Sequence, residues 1–272
     1  MFEIGKDVKI DPTAIIKVKH GFIGDRSVIG KNAVVEGHHV EIGAEAWIYR
    51  NADIGGGSCH DPQAKLQAGD FLHMGLNSHI NICNPVIIGH EFGCGIETKI
   101  FSHGAYQSAW DGFPVQWAGI TIGDRVWMPN AWVNPGVTIG SNVVIAARSL
   151  VNIDIPSGAL AAGTPAKVIR TDAFPKKLTA EQKLKLFDQI FTQAQLVAGE
   201  PQKYRQTEED VFKVNEHCVF DLKKREIHGK CTPFTEHLRN QLRRNGIRFR
   251  YYGQKGDYVA WEKSPLTSHR AA

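Results

Sequence analysis

Aliphatic residues return every six positions through most of the first 170 residues of this 272-residue chain. Ile4, Ile10 and Ile16 begin the series; Ile23, Ile29 and Val35, then Ile42, Ile48 and Ile54 continue it. After a gap come Leu76, Ile82, Ile88, Cys94 and Ile100, and after a second gap Ile122 and Met128, then Val133, Ile139, Ile145 and Val151. Gly follows the aliphatic residue in segments such as "IGDRSV", "IGKNAV" and "IGDRVW". An amphipathic helix is excluded, because its apolar spacing is three to four residues and its interior avoids glycine. Six residues make instead a short strand and a turn, with glycine read as supplying the turn conformation and the aliphatic side chain pointing into a narrow interior. Three such units close a triangular coil, so a residue is expected to stack on the one eighteen positions later, Leu76 over Cys94 and Ile82 over Ile100.

The rhythm slips by one residue between Ile16 and Ile23, between Val35 and Ile42, and between Met128 and Val133. Slips of that size can be absorbed at a corner. Two longer breaks cannot, and they predict loops at 55–75 and 101–119, the second containing His103 with Tyr106, Trp110, Phe113 and Trp117. Long loops on a rigid scaffold are where function tends to sit.

From Lys176 the pattern becomes helical. Thr179 is an N-cap with Gln182 three residues on, Leu184, Phe187, Ile190 and Phe191 share a face, and Gly199 ends the helix. Beyond it lie strands "VFKV" and "CVFDL", a helix "FTEHLRNQLRRNG" stopped by Gly246, and strands "IRFRYY" and "YVAW". The expected organisation is a β domain at 1–172, a helix and linker at 173–207, and a small α+β module at 208–272.

Composition narrows the class. Hydrophobic residues at 42% and charged residues at 22% argue against disorder. No leader-like or membrane-length apolar run is visible, so a cytoplasmic, soluble protein without a transmembrane segment is expected. Five scattered cysteines, Cys59, Cys83, Cys94, Cys218 and Cys231, read as free thiols. A net charge of +4 does not name a nucleic-acid partner. Arg239, Arg243, Arg244, Arg248 and Arg250 form a basic tail that reads as a solvated face or, alternatively, an anion-binding one.

The repeats, together with "IGDRVWMPNAWVNPGVTIG" and "IPSGALAAGTPAKVIR", resemble the hexapeptide-repeat acyltransferases, and within them the branch that acetylates xenobiotics and sugars, over about residues 4–170. The resemblance implies a mainly β fold, a left-handed parallel β-helix, here followed by a helix and a small α+β C-terminal module. It also implies acetyl-CoA as co-substrate and a homotrimer with active sites between subunits.

In that family a histidine opens the loop that returns at "ITIGDRVW", which makes His103 the expected catalytic residue. Imidazole titrates close enough to neutral pH to take a hydroxyl proton as the oxygen attacks a thioester. Asn84, Glu97, Tyr106, Trp110 and Asp111 are the expected acceptor-binding residues, with Glu97 and Asp111 the carboxylates to orient His103, and the loop aromatics either line an acceptor or form a mini-core. Asn130, Ala147, Arg148, Asn152, Lys167 and Arg170 map to the coenzyme groove; Asn152-Ile153 stands where the family has Thr-Lys, and Pro129 where it has Gly.

His60, His73, His79 and His90 lack the close paired spacing of a β-helical zinc hydratase, and no metal is expected. The expected activity is acetyl transfer from acetyl-CoA to a saccharide hydroxyl in surface polysaccharide or glycolipid synthesis. N-acetylation of a nucleotide-linked amino sugar is the alternative, followed by a non-catalytic or metal-dependent β-helix protein.

Overall fold

The fold was obtained as a computed structural model that describes residues 1–199 and 201–264. Its described residues comprise two units, one of residues 1–176 with Ser264 and one within 177–263.

The first unit is a stack of parallel coils whose inward side chains form three columns. One column runs Ile16, Val35, Ile54, Ile80, Ile100, Val133 and Val151. The second runs Ile4, Ile23, Ile42, Ala68, Ile88, Ile122, Ile139 and Ile155. The third holds Ile10, Ile29, Ile48, Met74, Cys94 and Met128, then Ile145 and Ala161. From Ile23 and Ile29 onward these side chains are fully or almost fully buried and form one continuous apolar core.

The register corrects the sequence expectation in the middle coils. Met74, not Leu76, lies beside Cys94, and Ile80, not Ile82, beside Ile100. The first long break is also shorter than expected. Asp53–Gly55, Lys65–Ala68 and His73–Met74 are strands of the stack, so the loop there is confined to the nine residues from 56 to 64. "LQAGDF" is an aliphatic-Gly-Asp repeat in which Ala68 replaces the aliphatic residue, and the missing side-chain bulk hid it.

Counting along the columns shows where the irregularity lies. From the second column to the third the spacing is always six residues, and from the third to the first it departs from six only between Met128 and Val133. Nearly every slip and both long insertions fall at the remaining corner, between the first column and the second. That corner therefore forms one irregular edge on an otherwise regular prism.

Glycine plays a different part from the expected one. In "IGDR" and "IGKN" the left-handed residue is Arg26 (φ 57) or Asn32 (φ 54), not the glycine. A Cβ on Gly24 would instead lie 2.5 Å from the Gly43 carbonyl carbon, so the glycine is demanded by the closeness of the next coil.

The second unit contains α1 (Ala180–Ala198) and α2 (Pro233–Arg244), a four-stranded antiparallel sheet formed by Tyr204–Glu208, Val211–Val214, Cys218–Asp221 and Glu226–Gly229, and a hairpin of Tyr251–Gln254 with Asp257–Ala260. Thr179 and Gln182 form the expected capping box and Gly199 caps the C-terminus at φ 72. Phe187, Ile190, Phe191 and Ala194 of α1 share a core with Phe212, Phe220, Phe234 and Leu238, so α1 is part of this unit rather than a linker. Arg248 and Arg250 precede the hairpin instead of alternating on a strand; Arg250 lies over the Trp261 ring, and Arg239 makes two hydrogen bonds of 3.0 Å to Glu236.

Candidate active site

At the irregular edge the chain leaves its coil after Ile100. His103 and Gly104 pair antiparallel with Gln116 and Trp117, making a short stem from which the rest of the loop projects. The Gln116 amide donates to the Pro135 carbonyl at 2.8 Å and ties the stem to a later coil. The His103 ring stacks on the Trp117 indole, with centroids 4.7 Å apart and planes at 21°.

His103 Nδ1 lies 2.9 Å from Asn81 Oδ1. The Ser102 hydroxyl donates to the same oxygen at 2.8 Å and accepts from the Asn84 main-chain N–H at 3.0 Å, while the Cys83 N–H adds a longer bond of 3.4 Å to Oδ1. Three donors converging on one amide oxygen settle the proton on Nδ1, because an amide oxygen only accepts. Nε2 then keeps a lone pair. The amide's other end faces Gly56, whose φ is 121° and whose position admits no Cβ, since one there would overlap Asn81 Nδ2. An imidazole with a fixed tautomer is thus built from two loops and the corner between them.

His103 lines a cavity of about 710 Å³ with Phe101, Pro114, Val115, Trp132 and Pro135; Gln116 and Asn134 are the other polar side chains in the lining. A second cavity of about 370 Å³ is lined by Glu97, Asn130, Trp132, Arg148, Ser149 and Thr164. Trp132 borders both. It packs on Phe101 at 4.9 Å between centroids, so the two cavities are neighbours across one indole.

The expected residues divide accordingly. Asn84 spends its side chain on the Ser102 carbonyl, at 3.1 Å, and reaches His103 only through Ser102 and Asn81. Glu97 borders the second cavity rather than the one containing His103. Asp111 ends a short 3-10 turn, Ala109–Asp111, and is exposed; among the described residues neither carboxylate hydrogen-bonds to His103. Tyr106 is 96% and Trp110 97% exposed, which rules out the mini-core: these rings touch little of their own unit.

Asn130 and Arg148 meet in the second cavity. The Asn130 side-chain amide donates to the Ile96 carbonyl at 2.9 Å, and the Asn130 main-chain carbonyl accepts the Arg148 main-chain N–H at 2.6 Å. Ala147 is exposed beside Arg148, and Asn152 is exposed on the next coil; neither belongs to the lining. Lys167 and Arg170 lie on the strand Ala166–Arg170, which pairs antiparallel with Leu160–Gly163. A bulge between Leu160 and Ala161 takes up one residue, so Lys167 opposite Ala162 and Arg170 opposite Leu160 come onto the same face.

Asn81 is the residue that sequence reasoning missed. The signal was in the spacing: once Ile80 is placed in the ladder, Asn81 is the last residue before the irregular corner, one coil below His103.

No family model matches the chain. Galactoside O-acetyltransferase of Escherichia coli K12 is 30% identical over 128 residues, 44% of this chain and 63% of that enzyme. A chloramphenicol acetyltransferase of Morganella morganii is 46% identical over 115 residues, 40% of this chain and 53% of that enzyme. The matched stretch therefore spans 53 to 63% of the length of these curated relatives. Among solved structures, a maltose O-acetyltransferase from Clostridium difficile 630 aligns at TM-score 0.33 and 18% identity over 63% of this chain and 66% of that one. A hexapeptide-repeat acetyltransferase from Vibrio cholerae, complexed with acetyl coenzyme A, aligns at 0.34 and 25% over 55% and 69%. At those TM-scores the structures add nothing to what the sequence relatives say. Through its repeat region the chain is similar to curated acetyltransferases of galactosides and of chloramphenicol.

Proposed function

We propose that the chain is an acetyl-CoA-dependent O-acetyltransferase acting on a saccharide hydroxyl, built on a left-handed β-helix and working as a homotrimer. The observation that carries this reading is His103, anchored through Nδ1 on Asn81 and lining the larger cavity.

The acceptor hydroxyl gives its proton to His103 Nε2 as its oxygen attacks the thioester carbonyl. Collapse of the tetrahedral intermediate expels the coenzyme thiolate, which takes the proton back from the imidazolium. Products are an acetyl ester and free thiol. Asn81 accepts from Nδ1–H throughout, so it holds both the neutral ring and the imidazolium without itself exchanging a proton. Thioester and pantetheine are assigned to the second cavity, with Asn130 and Arg148, and the coenzyme phosphates to Lys167 and Arg170.

A neutral sugar suits the larger cavity, whose lining is aromatic and apolar with two amides and holds no Lys or Arg among the described residues. A nucleotide-linked amino sugar would bring phosphate charge there without a cation to meet it. The relative named for galactosides supports the same reading. A role in surface polysaccharide or glycolipid synthesis is the biological setting of this reading. Among the described residues no helix is long and apolar enough to cross a membrane.

The test is thiol release from acetyl-CoA against neutral glycosides, sugar nucleotides and lipid-linked saccharides, with His103→Ala beside wild type. The variant should lose about 10²- to 10⁴-fold in kcat, the share of a general base. Near-normal turnover of a hydroxyl acceptor by His103→Ala sinks the assignment.

A further inference from the structure

The loop that leaves the irregular edge after Gly55 brings together side chains that acetyl transfer does not use. Four main-chain bonds fix its course: Cys59 N–H to Gly56 O at 3.1 Å, Asp61 N–H to Ser58 O at 3.2 Å, Ala64 N–H to Asp61 O at 2.9 Å, and His38 N–H to Cys59 O at 2.7 Å. The course so defined turns Cys59 inward, where it is 1% exposed, and leaves His60 at the surface.

Glu36 arrives from the preceding coil. Its side chain passes over Gly55, where a Cβ would lie 2.9 Å from Glu36 Cγ. As a result a carboxylate oxygen of Glu36, Sγ of Cys59 and a ring nitrogen of His60 all lie within 4.8 Å of one another. Two of these groups ligate as anions, and a cation between them offsets the repulsion that deprotonating Cys59 beside Glu36 would bring. A thiolate, an imidazole and a carboxylate are the donor types of four-coordinate zinc sites, whereas magnesium and calcium prefer oxygen alone.

His38, whose ring lies edge-on to His20, holds the Cys59 carbonyl through its main-chain N–H, and its own Nδ1 is buried without a hydrogen-bond partner among the described residues. The thiol of Cys83 is also close: a Cβ on Gly56 would stand 3.3 Å from its Sγ.

We infer that Glu36, Cys59 and His60 form a site for a zinc-type divalent cation that fastens the 56–64 loop to the preceding coil. Binding exchanges the Cys59 thiol proton for the metal and releases it to solvent, and the exposed His60 gives the ion its way in. The site escapes a search for paired histidines because it uses one histidine, its neighbouring cysteine and a glutamate from another coil. Its consequence reaches the base, since Gly56 in the same loop packs against the Asn81 amide that holds His103.

The experiment uses the full chain, stripped with chelator and titrated with Zn²⁺ in competition with a chromophoric chelator, and separately with Co²⁺. Wild type should take up one equivalent, show a thiolate-to-cobalt charge-transfer band with intense tetrahedral visible bands, and gain Tm with Zn²⁺. His60→Ala, at an exposed position where folding is undisturbed, should weaken binding by about tenfold or more and lose the Tm gain. Cys59→Ser should lose the charge-transfer band. Absence of binding in wild type, or bands and affinity that persist in both variants, overturns the inference. None of these readouts depends on acetyl transfer, so failure here and failure of the proposed activity remain separate results.

Discussion

Replacing Asn81 with alanine removes the one acceptor shared by His103 Nδ1, the Ser102 hydroxyl and the Cys83 N–H. Two costs follow. Ser102 is fully buried, so its hydroxyl loses its acceptor away from water, which costs about 1–3 kcal/mol of stability. In catalysis the lost bond is the one to the imidazolium, worth about 1.5–3 kcal/mol, which corresponds to about 10- to 150-fold in kcat. That is a smaller loss than removing the base itself, and the Michaelis constant for acetyl-CoA should hardly move. Asn81→Asp should recover most of the rate at alkaline pH, because a carboxylate also accepts from all three donors. Its stronger hold on the imidazolium should move the rising limb of the pH–rate profile to higher pH. The assay is steady-state thiol release across pH with thermal melts of each variant, and Asn84→Ala as the control that loosens Ser102 without touching His103. If Asn81→Ala turns over within about twofold of wild type, or if Asn84→Ala loses as much, Asn81 is not the group that orients the base.

Three further outcomes are expected. Lys167→Ala with Arg170→Ala should raise the Michaelis constant for acetyl-CoA far more than for its dephospho analogue; equal effects would mean the pair only closes the hairpin. Gly56→Ala should cost about 1–3 kcal/mol and lower kcat, since a side chain there meets the Asn81 amide at φ 121°, whereas Gly57→Ala, with open space around it, should be silent in melts and turnover. Burial pushes the Asp70 carboxyl up, but hydrogen bonds from His90, Ser264 and the Ala44 N–H outweigh it and hold the group at about 2, below its ordinary 3.8. A depressed carboxyl stabilises the fold above its unfolded value and loses that contribution as pH falls from about 4 to about 2, about 2 kcal/mol in all; urea titrations of Asp70→Asn should show that much less acid sensitivity than wild type.

The ladder was legible because an inward column tolerates little besides aliphatic side chains, and α1 because its cap and apolar face are local. The coil through Ala68, Leu72 and Met74 was not, since these residues fill the column without the Ile-Gly signal that marks the others. That gap displaced the ladder to Leu76 and Ile82, and with it attention from Asn81 to Asn84. His103 was singled out through its motif, whereas its contact with Asn81 lies between coils and spacing reveals it only once the register is right. The exposed rings of Tyr106 and Trp110 were equally out of reach, because aromatic content alone does not say whether a loop packs on itself.

Gathering the insertions at a single corner separates what must stay constant in this chain from what can change. The columns keep their order whether that corner holds six residues, as from Val133 to Ile139, or the whole 101–119 excursion, as from Ile100 to Ile122. Lengthening a loop of this kind costs little entropy once its ends are fixed by the coils on either side. Under the proposed activity, acceptor preference would drift by grafting, trimming or recombining segments along that edge, with the other two sides of the prism left unchanged. Chimeras that exchange residues 104–116 for the equivalent excursion of a relative should fold on the same ladder and inherit the donor's taste in alcohols.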